Sequence, residues 1–285
     1  MRKGNYLFKF IFLFPVILYS LLLILLPLIY VLFLSFCKSD SYGGMIYQFT
    51  FSNYVSIFDV TYLKILFQSS IIAIIATFIC ICISYPFALI LRERSVRVRN
   101  LCLKLVMVPF LTNSLIRTYG WITLLRKNGV INTGLMNFNI IDKPLNLMYN
   151  NLGIIIGMSY TLLPFMILPV CSSVFKIDNS LIEAGKDLGA SSIKIFRYII
   201  FPETVSGVFN GSLMVFIPAI GYFFISDVLG GGKVMIIGNL IKNQFLTARN
   251  WPFGSAISIF LIVVTFVLVK FYQKLGGKLD DLGGM

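Results

Sequence analysis

Six apolar runs, each about long enough to cross a bilayer, constrain this chain more than any other feature. They fall at roughly 10–36, 65–91, 102–125, 150–174, 199–225 and 253–272. A helix crosses the hydrocarbon core in about 20 residues. No water is present there to satisfy backbone N–H and C=O groups, so each run predicts a helix that bonds its own backbone. The expectation is an all-α membrane protein, one domain over residues 1–285 with six transmembrane helices. Composition agrees: 58% of the residues are hydrophobic and 12% are charged, against about 25% charged in soluble domains. Arg2, Lys3 and Lys9 precede the first run, and no small-residue cleavage site follows it. That run reads as a retained first span.

The charge pattern orients the spans. With the N-terminus inside, the inner segments hold fifteen Lys and Arg, among them Arg92, Arg94, Arg97, Arg99, Lys176, Lys186, Lys194 and Arg197. The outer segments hold eight, including Lys38, Lys143, Lys233 and Arg249. This bias predicts that both termini are cytoplasmic. It also accounts for the net charge of +13 without nucleic acid, because no basic stripe interleaved with aromatics lies outside the apolar runs. The chain has no histidine, which excludes His-based metal sites, triads and general bases, and no metal site is expected. The five cysteines form no C-x-x-C pair and read as small buried hydrophobes.

Between the fourth and fifth runs lies a short polar segment. Ser180 and Glu183 have capping-box spacing, which predicts a helix start near Ser180. Gly189 can take the left-handed conformation that ends a helix. The result is a helix over roughly 180–188 on the basic side of the membrane, a docking element for a soluble partner.

The spacing of that segment resembles the signature of bacterial ABC importer permeases. These carry Glu-Ala-Ala, three residues, Gly, nine residues, then Ile-x-Leu-Pro. Here Glu183-Ala184-Gly185, Gly189 and Ile199-Ile200-Phe201-Pro202 occupy those places, with Gly185 for Ala and Phe201 for Leu. Four further stretches narrow the likeness: VPFLTNSLIRTYG from Val108 to Gly120, DLGAS from Asp187 to Ser191, IPAIGYFFISDVLGGG from Ile217 to Gly232, and NWPFG from Asn250 to Gly254. With these the chain resembles the spermidine/putrescine permeases of that family, from the first span to the sixth.

The resemblance implies a type I importer fold and a bacterial inner-membrane location. It implies a pore-forming subunit rather than an enzyme, working with a sister permease, two ATPase subunits and an extracytoplasmic polyamine-binding protein. ATP and Mg would sit on the ATPase subunits, with no cofactor on this chain. Glu183, Ala184, Gly185, Asp187 and Gly189 would dock the ATPase. Permeases for ferric iron, thiamine or phosphonate share the overall plan and stay open as alternatives. A secondary transporter is the alternative from another class, although such proteins usually carry intramembrane acids.

Few groups could carry chemistry. No phosphate-binding G-x-x-x-x-G-K-[ST] loop is present, and Gly230-Gly231-Gly232-Lys233 reads as a flexible turn. Arg117 falls in the third run and needs a counter-charge or water; it reads as an intramembrane pair or a packing anchor. Asp227, beyond the fifth run, reads as an interfacial carboxylate or a substrate contact. Glu203 reads as a helix-start carboxylate. Tyr85, Tyr119, Tyr160 and Tyr222 are candidates for packing or for the wall of a cation path, since a Tyr face attracts organic cations. Pro109, Pro164, Pro169 and Pro218 predict kinks, and Gly153/Gly157 and Gly207/Gly211 predict close helix crossings.

Overall fold

The computed structural model describes residues 13–40 and 43–274, with the side chains of 272 and 273 left aside. Arg2, Lys3, Lys9 and Lys278 of the charge argument, and the start of the first run, lie outside the described residues. Among the described residues, five helices are long and apolar enough to cross a membrane: α1 (Leu13–Ser35), α2 (Val60–Arg92), one over Asn151–Phe175, one over Ser192–Gly221, and one whose apolar part is Trp251–Phe271.

The third run departs from expectation. In place of one helix it forms α3 (Val96–Met107), a 3-10 turn at Val108–Leu111 and α4 (Ser114–Leu125), and the axis bends by 94° at the break. The cause is local. Pro109 opens the 3-10 turn, Thr112 and Asn113 are extended, and the Asn113 side chain accepts from Leu115 N to start a new helix. After α5 (Val130–Asn137) comes α6 (Asn151–Phe175).

The fifth run also differs. Its helix begins earlier than 199, following α7 (Asn179–Asp187), and runs as α8 (Ser192–Gly221). The chain breaks at Tyr222 (φ −77, ψ 64) and resumes as α9 (Phe223–Gly230). Pro218 lacks the N–H that the Met214 carbonyl would accept, and Gly221 weakens the helix end. The opened turn lets the backbone of Gly238 press on Gly221, where a Cβ at 238 would lie 2.2 Å from the Gly221 carbonyl oxygen. Two π turns, Leu21–Leu25 and Phe196–Ile200, each precede a proline, Pro27 and Pro202. The widened turn leaves room where the proline ring would crowd the preceding carbonyl. The last elements are α10 (Ile237–Leu246) and α11 (Trp251–Lys274).

The chain falls into two compact units. One comprises Met1–Leu63 with Leu240–Val264. There α1 leads into a hairpin of β1 (Cys37–Ser39) and β2 (Met45–Phe49), paired antiparallel. Phe36 stacks on Phe49 and meets Phe51 edge-on, and Asn53 donates to the carbonyls of Ser35 and Cys37. Tyr62 packs on Phe253, 4.8 Å between centroids.

The other unit, Lys64–Asn239 with Thr265–Met285, holds the larger core. Its centre is the crossing of α6 with α8, α9 and α2, where Ile72, Ala76, Met158, Met166, Val215 and Leu229 are buried. The glycine pairs permit that crossing. A Cβ at Gly207 would lie 2.0 Å from Ser173 Oγ and 2.7 Å from the Pro169 carbonyl, and one at Gly157 would lie 2.4 Å from Leu229 Cδ1. Of the cysteines, Cys37, Cys80 and Cys171 are buried, whereas Cys82 is exposed and Cys102 half-buried. The last two depart from the buried reading: among the described residues the face of α2 at Cys82 is left open, and that of α3 at Cys102 is only partly covered.

Candidate functional site: the fastened helix between α6 and α8

Helix α7 is short, and its ends explain why it forms at all. Its cap is Asp178, not Ser180: the Asp178 carboxylate accepts from Ser180 N at 3.0 Å, so the helix begins at Asn179. Asp178 competes successfully because a carboxylate at an N-cap makes a charge-assisted bond and also meets the positive helix end. That backbone hydrogen bond holds its carboxyl below the usual range. At the other end Ala190 N donates to Gly185 O and Gly189 N to Lys186 O, with Gly189 at φ +72. This paired closure is a Schellman motif, and it demands the left-handed residue that glycine supplies without strain.

Along α7, Glu183, Ala184 and Asp187 are exposed and Gly185 is buried. A Cβ on Gly185 would come within 2.9 Å of Ile199 Cδ1 and 3.4 Å of Ile195 Cγ1. The glycine that departs from the Glu-Ala-Ala pattern thus matches two bulky isoleucines on the first turns of α8. Leu188 is 88% exposed and Ile193 is 78% exposed at the turn. A rigid knob with apolar tips and acidic flanks can insert into a complementary groove.

Two residues counted in the sequence only as charges fasten this knob. The Arg92 guanidinium, at the end of α2, donates to Ile177 O at 3.1 Å and to Asn179 Oδ1 at 2.7 Å. Arg99 in α3 donates to the carbonyls of Leu91 and Arg92 and lies over the Phe175 ring at 4.9 Å. Together they tie the ends of α2 and α6 to the start of α7. The sequence offered one signal, a cluster of arginines just beyond a span, but not their partners.

The residues named for a cation path are scattered through the larger unit. Tyr85 is buried, its hydroxyl bonded to Thr204 and its ring edge-on to Phe196. Tyr160 is half-buried against Trp121, 5.2 Å between centroids. Tyr119 is exposed on α4. Tyr222 is the half-buried residue at the α8–α9 break. Asp227 lies half-buried on α9, where Asn239 Nδ2 donates to its Oδ1 at 2.5 Å and to Phe223 O at 3.3 Å. Asn239, which sequence reasoning missed, thereby clamps α9 to the start of α10. Glu203 occupies the first regular turn after the π turn of α8.

The Gly230–Lys233 segment is a packed turn rather than a loose one. Gly231 caps α9 at φ +59, and a Cβ there would lie 2.2 Å from the Tyr149 ring. Ser226 Oγ donates to Val234 O and Tyr149 N to Leu229 O. Among the described residues no group of three or more metal-ligating side chains converges.

Membrane-crossing helices around a fastened, outward-facing helix between the fourth and fifth crossings define a permease subunit of the ABC-importer kind. Solved structures share this fold. A bacterial ABC transporter involved in import of the acidic polysaccharide alginate has TM-score 0.76 at 17% identity, over 96% of each chain. A bacterial alginate ABC transporter in complex with an alginate pentasaccharide-bound periplasmic protein has TM-score 0.74 at 18% identity, over 94% of this chain and 93% of that one. No family model matches. The spermidine/putrescine transport system permease protein PotB of Haemophilus influenzae is 42% identical over 251 residues, 88% of each chain. The chain belongs to that family, the PotB permeases of spermidine/putrescine transport systems, and is a multi-pass protein of the bacterial cell membrane.

Proposed function

We propose that the chain is the permease subunit of an ATP-driven polyamine importer, for spermidine or putrescine. The observation that carries the reading is the rigid α7 knob at the signature position in a chain 42% identical to PotB. In this reading α7 faces the cytoplasm, as do both termini, and Glu183, Ala184, Gly185, Asp187 and Gly189 meet one of two ATPase subunits. ATP and Mg bind there, and this chain holds no cofactor. A sister permease completes the pore, and an extracytoplasmic binding protein delivers the polyamine, as the periplasmic protein in the alginate transporter complex suggests by analogy of fold.

The knob transmits force because it is fastened. Movement of an ATPase groove shifts α7 as a rigid body, and Arg92 and the Gly185–Ile199 contact pass the shift to α2 and α8. At the opposite end, Asp227 is the acid best placed to receive an ammonium group, with the tyrosine faces contributing roughly 0.5–2 kcal/mol where water is excluded. Asp227→Asn should lower turnover per assembled complex, and unchanged turnover would remove Asp227 from the path.

ATP-dependent uptake of labelled spermidine into vesicles holding the full complex tests the whole reading; uptake of iron, thiamine or a phosphonate instead would overturn the substrate. Impermeant thiol labelling of intact cells tests orientation. A cysteine at Lys233 should react and one at Lys186 should not.

A further inference from the structure

The Nε of Arg117 lacks the partner its setting demands. The residue lies in the first turn of α4, within the bent third span. Its Nε is buried and has no hydrogen-bond partner among the described residues, and its guanidinium lies over the Phe110 ring at 5.4 Å. A ring face only weakly offsets the loss of water around a cation, so a carboxylate is the fitting complement. The described residues offer none in place. Glu203 lies on α8 in the half next to α7, Asp59 and Glu93 flank the two ends of α2, Asp227 on α9 already bonds Asn239, and none of these acids pairs with Arg117. The polyamine cargo is a cation and cannot neutralise it.

Within its own unit, and among the described residues, the face of α4 beside Arg117 is uncovered. Ile116 is 71% exposed and Tyr119 57% exposed, and a Cβ on Gly120 would meet nothing within 4 Å. Positions 116, 119, 120 and 123 recur on one side of a helix. A small residue on an open apolar face lets a second backbone approach closely, which helix packing uses and lipid tails do not require.

We propose that this face of α4 is where the sister permease packs, and that a membrane helix of that subunit brings an aspartate or glutamate to Arg117. The inference rests on the two-permease reading above. A second copy of this chain is the poorer occupant: Asp227 already bonds Asn239, and Glu203, in the half of α8 next to α7, would stay on the inner side of the membrane in a copy of the same orientation, away from the outer half of the third span where Arg117 falls. The pairing also hides a positive charge from a cationic cargo.

The test uses the complete transporter in its native membrane. A benzoylphenylalanine photo-crosslinker at Tyr119 should capture the sister permease. Arg117→Gln should lower the sister permease recovered per copy of this chain by about thirtyfold or more, the loss expected when one member of a buried charge pair is removed. Arg117→Lys should restore most of it. Arg117→Glu should be rescued by reversing one membrane acid of the sister permease to arginine. Because recovery is measured per copy, a folding defect appears as less chain rather than a lower ratio. Capture of lipid or of a second copy alone, or an unchanged ratio in Arg117→Gln, overturns the inference while leaving the two-permease reading intact. If wild-type complexes contain no second permease, that reading falls and the inference with it.

Discussion

Helices α1 and α6 are both long and apolar, yet their surroundings are opposite. Every residue of α1 from Leu13 to Tyr30 is exposed, whereas 61% of the apolar stretch of α6 is buried within its own unit. The buried helix is the less apolar of the two. It carries Gly153, Gly157, Ser159 and Thr161; α1 has no glycine, and its Ser20 merely bonds back to Val16 O. In water the most apolar helix would be the core. In lipid, a leucine gains little by leaving hydrocarbon for protein, and close packing selects small residues instead.

The sharpest way to break this comparison is to overfill the α6–α8 crossing. Gly207→Leu must displace the Pro169 carbonyl, a backbone atom, and should cost at least about 3 kcal/mol. Folded yield after detergent extraction should collapse. Leu22→Ala on α1 should change this chain's own stability by no more than about 0.5 kcal/mol. A collapse with Leu22→Ala, or normal yield with Gly207→Leu, would reverse the assignment of core and bare helix.

Gly189 sharpens the comparison from another side, because it is as exposed as α1 and yet holds a left-handed conformation that closes a helix. Valine at φ +72 is strained by about 1–2 kcal/mol, which opens the Schellman closure. Gly189→Val should reach the membrane in normal amount and lose uptake. Wild-type uptake would show that the closure is dispensable.

A smaller effect is expected at Arg92, whose side chain is half-buried. Arg92→Ala removes the bonds to Ile177 O and Asn179, worth about 1–2 kcal/mol after allowance for solvent. Protease cutting between 178 and 190 should rise and uptake fall several-fold, with Arg92→Lys in between. Unaltered cutting would mean that α7 holds itself without α2.

The least effect comes from acid. The Asp178 carboxyl is depressed by its bond from Ser180 N, so the cap contributes fully above the ordinary value near 3.8 and is lost as pH falls through the lower folded value. Around neutral pH Asp178→Asn, which keeps an acceptor, should leave uptake unchanged. A marked loss there would mean that the charge itself meets the ATPase.

Much of this was readable from residues alone. Five of the six apolar runs form helices long and apolar enough to span, and the sixth crossing depends on counting the bent pair from Val96 to Asn137 as one span; length and lack of charge suffice to predict a spanning helix but not its straightness. The left-handed stop at Gly189 and the close crossings at Gly157 and Gly207 were also legible, because glycine spacing reports backbone constraints directly. The 94° break was partly visible in Pro109 and the Thr112-Asn113-Ser114 cluster, but apolar content masked it. The cap of α7 was misplaced by two residues, since Asp178 and Ser180 both cap well and only the fold shows which one accepts.

Local and one-dimensional properties, then, were settled by the sequence itself: which stretches enter the membrane, where helices stop, and that a short knob lies between two spans. The tertiary structure decided everything that depends on distant partners. It brought Arg92 to Asn179 across 87 positions of chain, set Gly185 against Ile199, joined Asn239 to Asp227, and left Arg117 without an acid among the described residues. Such pairings depend on which helix faces meet, and in lipid many faces are equally apolar. Hydrophobicity therefore cannot select among them, and only shape and polar contacts in the folded chain do.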